Sequence, residues 1–251
     1  MPRPTASHVV YTRPLAKIGI QNTDTQGLKT KYKEIIGIFG IAALLYIASN
    51  YSNSSLLKLF DLNKPTALIY YINRLLLWCC LLLLFFYSKS FEKQDLILWK
   101  EKKPNLLTAT LSVTIILFIL FAGLVVIALL LNYLDFNSRT QKTVERNIIF
   151  KNNISLLVFS AFTAGALEEI VCRGYIQPRI ERMTQSPLWG ILLSSLLFGL
   201  MHMSYGTMHQ VLIPIFFGIV FSTFYTNYRS LTILIICHFI WDLLSTLDAI
   251  R

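Results

Sequence analysis

Long uncharged apolar runs, separated by short basic segments, constrain this chain more than any other feature. Between Asn105 and Leu134 no side chain carries a charge. At about 1.5 Å per residue a helix over that stretch exceeds the roughly 30 Å of a bilayer core, so it must tilt or protrude. Further runs extend over Ile35 to Tyr51, Ala67 to Tyr87, from Ile154 onward, Leu188 to Met203, Val211 to Thr226 and Leu231 to Leu247. Charged residues make up 14% of the 251 positions, against about 25% in soluble domains. The pattern predicts an all-α polytopic transmembrane helical bundle of about seven to eight spans, the eighth arising if Ser90–Trp99 or Tyr175–Met183 packs into the membrane region.

Three regions follow. Residues 1–33 form a polar basic arm with Arg3, Arg13, Lys17, Lys29, Lys31 and Lys33. Residues 34–149 supply N-terminal transmembrane helices, and 150–251 form a C-terminal helical region. The arm has no apolar core followed by a small-residue cleavage site, so the first apolar segment is expected to act as the membrane signal. The net charge of +10 does not imply nucleic-acid binding, because Lys and Arg sit at the ends of apolar runs rather than along a stripe with exposed aromatics. Anionic lipid is the partner that distribution fits. The arm, Lys89–Lys103 and Arg173–Arg182 fall on one side if two spans separate each pair, which predicts a cytoplasmic N-terminus. The basic segment Asp135–Lys151 pulls the other way. Cys79, Cys80, Cys172 and Cys237 all lie in apolar runs. They read as small buried hydrophobes, not as a disulfide framework or a zinc site.

Against this background a few polar residues stand out. Glu168 and Glu169 are adjacent and follow the apolar run Ile154–Ala166, with Arg173 four residues beyond Glu169. A carboxylate at bilayer depth costs roughly 2.5–3.5 kcal/mol on insertion scales, and two side by side also repel. His202 follows Phe198 by four residues, and Asp242 follows His238 by four, spacings that share a helix face. Arg74 and Asn73 lie inside the second run. Taken singly, Glu169 with Arg173 reads as a structural ion pair, each histidine as a carbonyl-bonded core residue, Asp242 as interfacial and Phe198 as packing. Taken together, five ionisable groups and an arginine in three neighbouring helices must face each other or water.

Such a cluster suits water activation. A carboxylate in a low-dielectric site can serve as general base. One histidine can orient the water, and a second can donate to a developing oxyanion. Three other readings use the same residues: a zinc hydrolase with Glu168, His202 and His238 as ligands; a non-catalytic scaffold or immunity protein with the cluster as polar glue; and a proton-relay transporter, for which no inverted repeat speaks.

Glu168-Glu169-x-x-x-Arg173, Phe198-x-x-x-His202 and His238-x-x-x-Asp242, in that order, resemble the three motifs of the CPBP family, the type II CAAX prenyl endopeptidase or Abi group of intramembrane glutamic proteases. The likeness covers Phe150 to Arg251. It implies an all-helical endopeptidase without a cofactor or metal that acts on a peptide at the membrane, either a prenylated CaaX-type or a secreted, pheromone-like peptide. By position, Glu168 would activate water with help from His202, Glu169 would align with Arg173 in support, and His238 with residue 242 would form the oxyanion site. Many members carry Asn at the last position, where this chain has Asp242. An aspartate donates a hydrogen bond only when protonated, so Asp242 either holds a proton or orients His238.

The resemblance sets a geometric demand. If the helix of Glu168 ended near Arg173, His202 at the end of the next antiparallel run would lie at the opposite depth. The helix is therefore expected to continue through Tyr175 to Met183 despite Pro178, with Glu168 and His202 within about 8 Å for direct or one-water contact.

Overall fold

The computed structural model describes residues 18–50, 52–61, 65–134 and 141–251. Arg3, Arg13 and Lys17 of the basic arm, and positions 135–140 of the basic segment before Ile154, lie outside the described residues.

Every regular element among the described residues is helical. The chain runs through α1 (Ile18–Asn50), α2 (Ser52–Leu59) and α3 (Ala67–Tyr87), then α4 (Leu106–Tyr133), α5 (Gln141–Lys151) and α6 (Ile154–Glu169). It continues through α7 (Gln177–Thr184), α8 (Pro187–Met201), α9 (His209–Tyr228) and α10 (Leu231–Ala249). Among the described residues six stretches are long and apolar enough to cross a membrane: Gly27–Ser49, Ala67–Glu92, Leu106–Tyr133, Ile154–Thr184, His209–Tyr228 and Leu231–Ala249. The remaining apolar run, Leu188–Met203, forms α8, whose 15 residues span only roughly 22 Å. The chain is thus the helical membrane bundle that its apolar runs predict, with one span short. α1 starts at Ile18, within the stretch that composition reads as the arm.

Two apolar clusters organise the bundle. In the first, Ile38, Ile41 and Leu45 of α1 and Leu77, Leu81 and Leu84 of α3 pack on Leu167, Val171 and Tyr175. In the second, Ile116 and Leu120 of α4, Phe198 of α8, Phe217 and Phe221 of α9 and Leu234 and Cys237 of α10 meet around Cys172. α4 buries only 11% of its span, so its Leu, Ile and Phe side chains form the outer, lipid-facing wall. Cys172 and Cys237 are buried and Cys80 is partly so, whereas Cys79 is exposed on that apolar exterior; none is in a disulfide.

The helix of the glutamates does continue, from Ile154 to Thr184 over 31 residues. It does so through a π-helical turn, Ile170–Ile176, an irregularity often found at functional sites. Pro178 lies in the first turn of α7, where its missing N–H leaves no needed bond unmade. Gln185 then ends the helix in the left-handed conformation (φ 55°), and Pro187 opens α8. Glu168 and His202 each lie 17 residues from Gln185 along the sequence. Two antiparallel helices leaving one tight turn therefore bring them level.

The basic segments converge on the end of the bundle that holds this turn. Arg179, fully buried, donates from Nε and Nη2 to Glu92 Oε2 (3.1 and 2.6 Å), from Nη2 also to Ser88 Oγ (3.0 Å), and to the carbonyls of Leu96 and Asp95. Tyr175 donates to Glu92 Oε1 at 2.6 Å. Arg182 pairs with Glu34, and Lys33 Nζ donates to the Phe91 carbonyl. At the exposed rim Lys89 pairs with Asp95 and holds its carboxyl below the usual carboxylate range. These bonds tie α1, the segment after α3 and α7 together at that end of the bundle.

Candidate active site

Glycine at one position brings α10 against α6. A Cβ on Gly165 would stand 2.9 Å from the backbone nitrogen of Phe239 and 3.2 Å from the carbonyl oxygen of Ile235, closer than side-chain carbons approach. The bare backbone lets α10 approach one turn before the glutamates, and His238 enters beside them.

The contact this creates is direct. His238 Nδ1 lies 2.8 Å from Glu169 Oε1. Arg173 Nη1 donates to the same oxygen at 3.0 Å. All three side chains are nearly or wholly buried: Glu169 is 0% exposed, Arg173 1% and His238 6%. Nε and Nη2 of Arg173 have no hydrogen-bond partner. Instead its guanidinium lies 4.7 Å from the Phe198 ring centroid and 5.4 Å from that of Phe221, within cation–π range. Phe198 is therefore packing, as its sequence context suggests, and it packs on a charge. Its ring also meets those of His202 (4.9 Å) and His238 (6.2 Å) edge to face.

Glu168 faces the other way, into a cavity. It is 24% exposed, and its Oε2 stands 4.0 Å from His202 Nε2 and 3.7 Å from His238 Nε2. The 8 Å requirement is met, and the two atoms are close enough for one water beside them in the cavity to reach both. His202 Nδ1 is 2.9 Å from the Phe198 carbonyl. A carbonyl only accepts, so Nδ1 carries the proton, and Nε2 of the neutral ring is left as an acceptor toward Glu168. Asp242 Oδ2 lies 3.7 Å from His238 Nε2, beyond a direct hydrogen bond. The carboxylate oriented on His238 through a ring proton is thus Glu169, not Asp242.

Glu168, Glu169, Arg173, His202, His238 and Asp242, singled out in sequence, therefore share one cluster. Two further residues face it without having been assigned a role. Arg74 of α3 and Arg146 of α5 line the same cavity of about 280 Å³, together with Glu168, His202 and Asp242. Arg74 carried a signal, being a charge inside an apolar run. Arg146 carried none, since it belongs to an ordinary basic segment. Among the described residues, no group of three or more His, Cys, Asp or Glu side chains is placed to hold a metal ion.

Residues 150–244 match the family model described as type II CAAX prenyl endopeptidase Rce1-like. The matched region contains every member of the cluster and excludes Arg74 and Arg146. No curated protein and no solved structure matches the chain.

Proposed function

Residues 150–244 belong to the type II CAAX prenyl endopeptidase family, and from that premise we propose that this multi-pass membrane protein hydrolyses a peptide bond at the membrane with a water activated by Glu168. The observation that carries the reading is the pair of gaps around Glu168 Oε2, 4.0 Å to His202 Nε2 and 3.7 Å to His238 Nε2. A water seated between Glu168 and His202 donates to both, gives a proton to Glu168 and attacks the scissile carbonyl carbon. The oxyanion that forms is met by His238 Nε2–H. Because Nδ1–H is committed to Glu169, that donor exists only in the imidazolium form, and Glu169 with Arg173 supplies its counter-charge and fixed orientation. Asp242, when protonated, adds a second donor. Glu168 then passes its proton to the leaving amine, and the peptide separates as an acid and an amine.

The substrate is a peptide presented at the membrane, either prenylated and of CaaX type or secreted. The gathering of Lys33, the Lys89–Lys103 segment and Arg182 at one end of the bundle supports a cytoplasmic N-terminus by the positive-inside bias. The three-region division of the chain at about residues 33 and 149 is retained as part of this proposal.

The test is cleavage of membrane-proximal peptide libraries by the purified protein in liposomes, comparing wild type, Glu168→Gln and wild type with a chelator. Activity abolished by Glu168→Gln and kept with chelator is expected. Activity lost to chelator brings forward the zinc hydrolase reading. Activity kept by Glu168→Gln overturns the glutamate base.

A further inference from the structure

We propose that Lys100, Lys102 and Lys103 form a docking surface for anionic lipid headgroups, on a strap whose inner face holds the two helices that carry Glu169 and His238. The charge of the membrane surface thereby tunes the site. The regulatory half rests on the peptidase reading above, whereas the docking half stands without it.

Residues 93–105 lead into α4 without helix or strand, and their side chains alternate as those of an extended chain do. Ile97, Trp99 and Glu101 turn inward. Ile97 Cγ1 would stand 3.2 Å from a Cβ on Gly174, inside the π-helical turn and five residues beyond Glu169. Trp99 lies against Tyr225 of α9, ring centroids 5.1 Å apart, and the Arg229 guanidinium covers it at 3.3 Å. Glu101 accepts from the Tyr225 hydroxyl at 2.8 Å and from the Leu231 N–H at 2.7 Å. Leu231 opens α10, seven residues before His238, so this carboxylate caps a helix end whose N–H groups otherwise lack partners. The Lys102 N–H donates to the Arg229 carbonyl at 2.8 Å. One strap thus touches both helices of the Glu169–His238 pair.

The outer face is cationic and uncompensated. Lys93, Lys100, Lys102 and Lys103 are exposed, and no ion pair among the described residues includes them. The two acids of the strap are committed elsewhere, Asp95 to Lys89 and Glu101 to the inner face. Lipid is what this face meets. The 28 residues of α4 span roughly 42 Å, more than a bilayer core of about 30 Å, so the start of α4 lies at the edge of the hydrocarbon. Leu106 and Leu107 are exposed there on the lipid-facing wall, and Lys102 and Lys103 just before them stand at headgroup depth. Tyr228, exposed next to Arg229, is an aromatic of the kind that marks this depth. Each lysine near an anionic surface favours binding by roughly fivefold. Headgroups held by the outer face keep the inner face seated on Gly174 and Leu231, and so keep Glu169 and His238 in register.

The test places the full-length protein in phosphatidylcholine nanodiscs, with and without phosphatidylglycerol, and uses a neutral apolar peptide as substrate. Hydrogen exchange at the amides of residues 93–105 and kcat are both read. The variants are Lys100→Gln/Lys102→Gln/Lys103→Gln and Lys100→Arg/Lys102→Arg/Lys103→Arg. In wild type, phosphatidylglycerol is expected to slow exchange and to raise kcat by about threefold or more, the order of one lysine–headgroup contact. The Gln variant should match wild type in phosphatidylcholine and ignore phosphatidylglycerol, whereas the Arg variant keeps the response. Exchange that does not slow in wild type, or slows equally in the Gln variant, overturns the docking surface. Inorganic phosphate that reproduces the slowing in phosphatidylcholine overturns lipid as the ligand. Slowed exchange with an unchanged kcat overturns the link to the site. No cleavage under any condition, with exchange that slows only in wild type and the Arg variant, sustains the docking surface and sinks the peptidase.

Discussion

His238 Nδ1 and Glu169 Oε1 lie 2.8 Å apart, across the contact that Gly165 opens between α6 and α10. Glu169 thereby serves two cations at once, since Arg173 reaches the same oxygen. This divides the labour of the adjacent glutamates by burial. Glu169 is sealed and holds charges in place, whereas Glu168 is a quarter exposed and meets the cavity.

Glu169→Gln should therefore damage both stability and turnover. The substitution leaves Arg173 buried without its anion, which costs about 3–5 kcal/mol when a buried pair is broken, and it removes the carboxylate that, in the proposed mechanism, supports the His238 imidazolium. A lowered melting temperature in detergent and a fall in kcat larger than any rise in KM are expected. An unchanged melting temperature would count against the pair.

Glu168→Gln and His202→Ala should behave differently. Both side chains border the cavity and are 24% and 22% exposed, so thermal stability should move by less than about 1 kcal/mol. Peptide cleavage should fall by about 10²- to 10⁴-fold, the range for a general base or its partner. Comparable loss of stability in both would indicate a structural role.

Asp242 can be tested by its own isostere. An asparagine donates without needing a proton, so Asp242→Asn should retain cleavage and Asp242→Ala should lose about tenfold or more in kcat, as for removal of an oxyanion donor. Moreover, Asp242→Asn should hold its activity at higher pH than wild type, because its donor does not disappear on deprotonation. Identical pH profiles for wild type and Asp242→Asn would assign residue 242 to packing.

Gly165→Ala probes the helix approach. The added Cβ would lie 2.9 Å from the Phe239 nitrogen, a backbone atom that no rotamer can move. α10 must shift, carrying His238 off Glu169. A drop in melting temperature together with cleavage reduced at least tenfold is expected. Cleavage at the wild-type level would show that the close approach does not set the site.

Orientation is read with a membrane-impermeant maleimide on intact cells. A cysteine at exposed Asp95, at the basic end, should stay unlabelled until the membrane is opened, whereas one at Glu145 of α5 should label from outside. The reverse pattern would invert the proposed topology.

Part of this architecture was legible in order and spacing. The uncharged runs require apolar surroundings and helical backbone, because a bilayer leaves no water to satisfy open N–H and C=O groups. The three polar spacings require that their helices meet, because charges in such runs are tolerated only in company. Even the level placement of Glu168 and His202 follows from counting outward from Gln185 once the intervening helix is taken to continue past Pro178.

What the sequence by itself determined is therefore the helical membrane bundle and the membership of its polar cluster, since both follow from local costs of charge and length. Tertiary structure alone decided the pairing within that cluster. No spacing says that Glu169, rather than Asp242, orients His238, because the answer depends on how closely α10 approaches α6 at Gly165. Nor does any spacing bring Arg74 of α3 and Arg146 of α5 into one cavity with Glu168. Those contacts join residues far apart in the chain, and only packing in three dimensions sets which of them face each other.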